Sequence, residues 1–512
     1  MKNNFSDTIK EETAIVKIDG KEFLFEKGVL LSDILSSEKP CGAHAKCGKC
    51  KVIAKGNLSA ATERELELLT KDELAKNIRL SCLTYVLGEC EITTLSKTQN
   101  DVILTNGKSA EFELKPTFSK FGAAFDIGTT TLAAKLYDTN GVMLAESSKI
   151  NPQKEWGSDV ISRIESALSG KAKKLSNSIR YAICEMTEEL SSQAGISAKE
   201  IDSVVITANT VMLSLLTEES AEPFSHAPFK SKRLFGETLS AESLDLFTLE
   251  KNVPIYLPPC ISAFVGADVA CAILASELCK NDTAMLFDIG TNGEMALWNK
   301  EKKRLTVCST AAGPAFEGVG ISMGMRGSTG AIDKVTFENG NFYSHVIGEC
   351  LPVGICGSGL VDAVAAMLDA NIIDESGYLE EDKFVIHPPV SLVPKDIRAL
   401  QLAKSAIYAG AVTLMESERI SSNAVSTVYI AGGFGNYINK ISATRIGLLP
   451  KDLAKKSYSI GNGALSGAAM LLLNSDARSD ISKLIANAKV LDLASNQIFS
   501  NYYMSAMALE EM

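Results

Sequence analysis

Apolar and polar positions alternate early in the chain. Ala14-Ile15-Val16-Lys17-Ile18 and Lys21-Glu22-Phe23-Leu24-Phe25 predict two strands around Asp19-Gly20, a dipeptide suited to a two-residue hairpin. Residues 29–35 predict a short helix, residues 63–80 are helical in composition, and residues 88–94 predict a closing strand. From 96 to 120 the chain is polar and without period, which marks a linker.

Beyond the linker one pattern occurs twice. Phe125-Asp126-Ile127-Gly128-Thr129-Thr130-Thr131 reappears as Phe287-Asp288-Ile289-Gly290-Thr291-Asn292-Gly293, each copy between two apolar runs. Each predicts a β-hairpin with an Asp at the end of its first strand. Residues 425–430 predict a buried strand that breaks into Ala431-Gly432-Gly433-Phe434-Gly435, and residues 461–469 a helix start with a face of small residues. The longest apolar stretch, 261–278, is interrupted by Gly266 and Asp268 and preceded by Pro258-Pro259, so it predicts a buried helix and no membrane span.

Composition narrows the class. A chain of 512 residues implies several domains with large cores. A net charge of −11 argues against nucleic acid as a partner, although Lys46, Lys49 and Lys51 make one loop locally basic. The first residues are polar and carry no apolar run, so a secretory signal is not expected. Twelve cysteines then read as reduced thiols of a cytoplasmic protein rather than as a disulfide framework.

Four of those cysteines carry a pattern of their own. Cys41, Cys47 and Cys50 form a C-x5-C-x2-C run, and Cys82 follows at a distance. Three thiolates in one loop and a remote fourth is how a ferredoxin holds a [2Fe–2S] cluster, and the five-residue first gap looks like the adrenodoxin branch of the ferredoxins. Gly42, Ala43, Ala45 and Gly48 are small enough for the loop to wrap closely. Strand, strand, helix and loop is the order of a β-grasp ferredoxin. Zinc is the alternative, but its structural sites usually pair two C-x2-C knuckles and only Cys47 and Cys50 form one. His44 is a weak ligand candidate beside four thiolates. Cys90, Cys308, Cys350 and Cys356 fit no second cluster.

The repeated hairpins suit a polyphosphate. A turn that offers consecutive N–H groups and Thr hydroxyls makes an anion-binding concavity, and an Asp beside it holds Mg2+ through water. Asp126 and Asp288 are therefore the Mg2+ candidates. Gly128, Thr129, Thr130, Gly290, Thr291 and Asn292 are the phosphate-loop candidates, and Gly432, Gly433 and Gly435 the adenosine-side ones. Asp268 and Glu294 are candidates to orient an attacking water, with a lobe-interface or surface carboxylate as the alternative. No P-loop occurs, and Gly318, Gly320 and Gly324 are one residue too widely spaced for a dinucleotide fingerprint.

Two Asp-bearing turns and a later Gly-rich turn, in that order, resemble the superfamily of acetate and sugar kinases, heat-shock chaperones and actin. That resemblance implies ATP bound between two duplicated RNase H-like (ASKHA) lobes. The expected organisation is a β-grasp [2Fe–2S] domain over 1–95, a linker over 96–120, one lobe over 121–284 and a second over 285–512.

A ferredoxin joined to such an ATPase resembles the reductive activators of corrinoid proteins. The likeness includes Ala208-Asn209-Thr210-Val211-Met212, residues 259–268, Ala312-Gly313-Pro314-Ala315-Phe316-Glu317-Gly318, residues 354–360, and Asp396-Ile397-Arg398 followed by Gln401-Leu402-Ala403-Lys404; Ala208 stands where glycine is expected. The branch with cysteine-rich C-terminal motifs is excluded, since no cysteine follows Cys356.

The resemblance implies ATP-dependent one-electron reduction of a corrinoid protein, Co(II) to Co(I), in an anaerobic cytoplasm. It also implies an upstream low-potential donor and a homodimer. A cluster of ordinary ferredoxin potential, about −400 mV, would deliver that electron uphill. Three alternatives stay open. They are an ATP-driven donor to another acceptor, like the activators of 2-hydroxyacyl-CoA dehydratases; a small-molecule kinase with a redox module; and a non-enzymatic sensor of redox state and ATP.

Overall fold

The computed structural model describes residues 13–35, 43, 45, 48, 50–94, 105–107, 111–280 and 282–512. Two compact units result, one from the described residues of 1–98 and 151–179, the other from those of 99–150 and 180–512.

In the first unit β1 (Thr13–Ile18) and β2 (Lys21–Glu26) form the expected hairpin, with Asp19 and Gly20 both left-handed at φ of 48° and 85°, as a right-twisting two-residue turn requires. A short helix, Leu31–Ile34, leads toward the cysteine loop. β3 (Lys51–Leu58), β4 (Ile78–Leu80) and β5 (Val86–Thr94) complete a five-stranded sheet of order β2-β1-β5-β3-β4, in which β1 and β5 run parallel. The hairpin, short helix and closing strand agree with the β-grasp the sequence predicts, while β3 and β4 go beyond it. Val16, Val52, Val86 and Ile92, all fully buried, alternate with exposed positions and fill one face.

The block 63–80 is not one helix. Thr70 and Glu73 form a capping box that starts a second short helix, Lys71–Ala75, after Glu63–Leu68. Left-handed Asn77 then ends it, and residues 78–80 pair with β3. A cap and a left-handed residue override the helical composition.

The second unit holds two six-stranded sheets. β6 (Phe121–Ile127), β7 (Thr131–Asp138), β8 (Met143–Ile150), β9 (Ile201–Ala208), β10 (Glu237–Ser240) and β11 (Pro254–Leu257) take the order β10-β11-β9-β6-β7-β8. The other contains β12 (Ala284–Ile289), β13 (Gly293–Asn299) and β14 (Arg304–Thr310). The chain then makes a small sheet of β15 (Ala331–Glu338), β16 (Asn341–Val346) and β17 (Gly354–Ile355), and a hairpin of β18 (Phe384–His387) and β19 (Val390–Leu392). It returns as β20 (Thr427–Ala431), β21 (Ser457–Gly461) and β22 (Lys489–Val490), giving the order β21-β20-β12-β13-β14-β22.

The two large sheets repeat one plan. In each, an Asp-bearing strand pairs antiparallel with its successor and parallel with a later strand, β9 beside β6 and β20 beside β12. β6 and β12 are buried along almost their whole length, as central strands covered on both faces must be, and only Asp126 and Asp288 interrupt the run near its end. This is the duplicated RNase H-like architecture.

One helix from each half crosses at close range. Ala267–Ala275 packs on Gly463–Leu473, and a Cβ at Gly467 would lie 2.1 Å from the carbonyl oxygen of Cys271. The small-residue face read from the sequence is therefore the surface on which the two helices meet. Residues 111–120, inside the expected linker, run along the second of these helices: Lys115 and Thr117 donate their N–H groups to the carbonyls of Leu473 and Leu472 at 2.9 Å, and Phe118 is buried. Among the described residues no helix is long and apolar enough to cross a membrane.

Candidate functional site

Two places gather the sequence's candidate chemistry. In the first unit the Sγ atoms of Cys50 and Cys82 approach to 3.2 Å, both residues buried among Leu69, Leu80, Ala43 and Ala45. Cys41, Cys47 and His44 lie outside the described residues. Cys82 is carried by the turn that follows β4, and that strand is fixed by Glu65. Fully buried Glu65 accepts from Nε and Nη2 of Arg79, at 2.9 and 3.0 Å, and from the N–H of Leu80 at 2.7 Å. The Ser81 N–H donates to the Cys50 carbonyl at 2.8 Å and ties the two cysteine segments together. Ala43, Ala45 and Gly48 have φ of 68°, 54° and 62°, and Arg64 donates to the Ala45 carbonyl at 3.0 Å. Left-handed residues are frequent in backbone that concentrates N–H groups around an anionic group. Two buried, converging thiols inside such a loop fit a cluster.

The second place is a cleft of about 320 Å3 between the halves of the second unit. Asp126, Asp268, Asp288, Glu294, Gly128, Thr129, Thr130, Gly290, Thr291, Asn292, Gly432 and Gly433 all line it. Gly435 does not; it is packed behind, where a Cβ would meet Ile430 at 2.3 Å. Gly433 has open space around it. Gly432 stands differently: φ is 85°, and a Cβ would lie 2.8 Å from Oδ1 of Asp288, so only glycine lets β20 pass this carboxylate. The Gly-rich segment is no loose turn but a short helix, Gly432–Tyr437.

The two hairpins are alike but not identical. Opposite Asp126 on the partner strand stands Ala133; opposite Asp288 stands Glu294. Two carboxylates directly across a strand pair repel when both are ionised, which opposes folding. Burial pushes Asp288 up to about 6. Burial pushes Asp126 to about 7, opposed by the Asn462 amide and helped by the Asp288 charge. Asp268, at the first turn of Ala267–Ala275, is raised to about 8 by burial and then by Asp288, with the Val269 N–H opposing and Asp126 adding. Burial, Asp268 and Asp288 hold Glu294 well above the ordinary range, against a hydrogen bond from Asn292. With Glu317 the described lining residues include five carboxylates and one cation, Arg326. A polyphosphate enters such a site only with divalent metal.

Three residues without a role in the sequence reading organise the cleft. Asn462 caps the helix Gly463–Leu473 by accepting from the Leu465 N–H at 2.8 Å, and its Nδ2 donates to Asp126 at 2.9 Å. Its own N–H donates to the carbonyl of Asn106 at 3.0 Å, within the expected linker. Asn209 caps Thr210–Leu216 and donates to the Thr129 hydroxyl at 3.2 Å. Glu317 accepts from the hydroxyls of Thr130, at 3.0 Å, and Thr291, at 2.8 Å, one from each hairpin. All three lie in segments the motif reading had singled out; an Asn ahead of a helix was the visible signal for two of them, and nothing local marked Glu317.

Comparison with known proteins agrees with this architecture. Residues 121–281 match the family model of the RACo middle region, and residues 282–512 that of the C-terminal domain of RACo, the ASKHA domain. The corrinoid activation enzyme RamQ of Eubacterium limosum is 36% identical over 416 residues, 75% of this chain and 69% of that protein. A Co(II) methylated amine-specific corrinoid protein reductase of Methanosarcina barkeri is 26% identical over 422 residues, 76% of this chain and 77% of its own. The solved structure of a reductive activator for a corrinoid, iron–sulfur protein superposes with a TM-score of 0.71 at 27% identity, covering 97% of this chain and 98% of that one. The chain belongs to the family of reductive activators of corrinoid proteins.

Proposed function

We propose that this protein returns the cobalt of a corrinoid protein from Co(II) to Co(I) by ATP-dependent one-electron transfer. The observation that carries the reading is the cleft itself: two copies of one Asp-bearing hairpin face each other with hydroxyls and carboxylates, in a chain of this family. The ASKHA fold implies ATP with Mg2+. Asp126 and Asp288 would hold the ion through its waters, and Thr129, Thr130, Thr291 and Asn292 would meet phosphate. Gly433, with open space above it, would face the adenosine side. Asp268, whose carboxyl burial raises to about 8, would accept the proton of an attacking water only once a bound cation restores its ionised form. Glu294 stands across the strands from Asp288, and with its carboxyl held well above the ordinary range it would keep a proton there until a cation is bound.

Cys50 and Cys82, with Cys41 and Cys47, would hold a [2Fe–2S] cluster, which when bound supplies a one-electron carrier. The chain's own part is to fix the loop through Glu65, Arg79 and Arg64 and to exclude water with Leu69 and Leu80. Electron balance requires an upstream low-potential donor for each Co(I) formed. ATP helps only by binding two arrangements of the protein unequally, so closure of the hairpins on nucleotide must favour the complex with the corrinoid partner.

The test is anaerobic and optical. Reduced protein is mixed with a Co(II) corrinoid protein, with and without Mg-ATP, while the Co(I) band is followed. ATP-dependent Co(I) is the expected result. Asp288→Ala should abolish the ATP stimulation and leave the cluster's visible spectrum intact. Absence of Co(I) with several corrinoid proteins, despite an intact cluster and bound ATP, would refute the assignment.

A further inference from the structure

The two hydroxyls best placed for phosphate already have an acceptor. Thr130 comes from the β6–β7 turn and Thr291 from the β12–β13 turn, and the two oxygens of Glu317 take one hydrogen bond from each. A hydroxyl has a single hydrogen to give. Neither Thr can donate to a phosphate oxygen while it donates to Glu317, and a carboxylate so placed also repels the incoming anion.

The segment carrying Glu317 is a discrete unit between two glycines, with Ala315 and Phe316 buried. Pro314–Glu317 is a single 3-10 turn, bounded by Gly313 and Gly318 with φ of 80° and 74°. Its Phe316 stacks on Phe434 of the Gly-rich segment, with ring centroids 4.5 Å apart and 24° between planes. The same turn thus touches both phosphate loops through Glu317 and the nucleoside side through Phe316.

We propose that Glu317 is a strap across the cleft that competes with nucleotide phosphate for Thr130 and Thr291, so that Mg-ATP binding releases the turn Pro314–Glu317. The exchange transfers two hydrogen bonds from a carboxylate to phosphate oxygens, and the freed turn passes the change to Phe434. Nucleotide occupancy is thereby linked to a second arrangement of the lobes, which gives the ATP-dependent closure a physical element. This inference rests on the ATP reading of the cleft.

The experiment titrates the full-length protein, anaerobically, with the magnesium complex of the non-hydrolysable analogue AMPPNP by calorimetry. Two hydrogen bonds to a charged group are worth at least about 1.4 kcal/mol when partly exposed, the equivalent of tenfold in affinity. Glu317→Ala should therefore bind about tenfold tighter than wild type. Glu317→Gln, whose amide oxygen still accepts from one Thr, should gain less, and it preserves the shape of the turn if the alanine variant folds poorly. A variant that is merely misfolded binds more weakly, so the sign separates the strap from a structural role. Amide hydrogen exchange of wild type should quicken at residues 315–318 when nucleotide binds. Unchanged or weaker binding by both variants would overturn the strap. Failure of wild type to bind the analogue at all would instead overturn the ATP site.

Discussion

Replacing Gly467 by Ala sets two known effects of opposite sign against each other. Gly467 lies inside the helix Gly463–Leu473, where alanine is favoured over glycine by about 1 kcal/mol. Its new methyl, however, would stand 2.1 Å from the Cys271 carbonyl oxygen, 2.5 Å from the carbonyl carbon and 2.6 Å from Cα. All three are backbone atoms of a buried helix, so no side chain can swing aside. Restoring an ordinary contact of about 3.4 Å requires the helices to part by about 1.3 Å, and overpacking of this kind costs roughly 1–3 kcal/mol or more. With backbone on both sides of the contact the clash takes the upper part of that range and outweighs the propensity, and the apparent Tm should fall by about 2 °C for each kcal/mol of the difference. The functional effect should be larger than the thermal one. Ala267–Ala275 carries Asp268 at its start and Gly463–Leu473 carries Asn462, which holds Asp126, so parting the helices spreads the groups around the cleft. A misplacement near 1 Å costs as much as ~100-fold in a positioned reaction; Mg-ATP turnover should drop by at least tenfold. Scanning calorimetry and an ATPase assay on the same preparation decide it. A Tm above wild type with unchanged turnover would mean that helix propensity acts alone, and that the crossing does not set the cleft.

Two further expectations concern charge. Glu65→Ala leaves Arg79, whose side chain is only 13% exposed, without its partner and removes the acceptor for the Leu80 N–H; losing one member of a buried pair costs about 3–5 kcal/mol. The first unit should unfold at lower denaturant and the cluster's visible absorbance should fall, while Mg-AMPPNP binding stays at the wild-type level; full retention of the absorbance would separate Glu65 from the cysteines. The second is a pH dependence. Asp288, Asp126 and Asp268 are raised to about 6, 7 and 8, so their protonated forms favour the folded protein below the ordinary carboxylate range, and that contribution is lost as pH climbs through 6 to 8. Without Mg2+ the Tm should decline from pH 6 to pH 8.5, and Asp268→Asn should flatten the decline; Mg2+ affinity, which needs ionised carboxylates, should rise over the same window. A metal-free Tm that rises across that window would refute the shared cause.

Legibility in the sequence followed the range of the contacts involved. The Asp19-Gly20 hairpin, the two Asp-bearing turns and the cap at Asn462 are local signals, settled by residues within a few positions of each other. The duplication was readable because Asp126 and Asp288 sit in the same local sequence, Phe-Asp-Ile-Gly-Thr. What failed locally was the block 63–80, where the capping box at Thr70 and the left-handed Asn77 cut a helical composition into three elements. What stayed hidden was pairing at a distance. Thr130 meets Glu317 across 187 positions and Asp126 meets Asn462 across 336. Nothing near Glu317 announces a contact with either hairpin.

The departure from symmetry says more about the chemistry than the repeat does. A duplicated hairpin would place two equivalent Asp residues around a phosphate chain, and Asp126 and Asp288 keep that equivalence at the ends of β6 and β12. Their surroundings have diverged. Asp126 faces neutral Ala133 and receives a hydrogen bond from Asn462, which eases its ionisation. Asp288 faces Glu294 across the strands and lies under Gly432, where no side chain can shield it. Asp268 adds a fourth carboxyl from a helix N-terminus, and Glu317, the fifth, ties the two turns together. The cleft therefore gathers buried acids from both halves, a group that is stable only when a cation or protons neutralise it. A cleft that needs only to grip nucleotide has no use for that crowding, which costs folding energy. Its value lies in the difference it creates between a cleft filled with Mg-ATP and one that is not, and such a difference is what ATP must supply to move a partner protein.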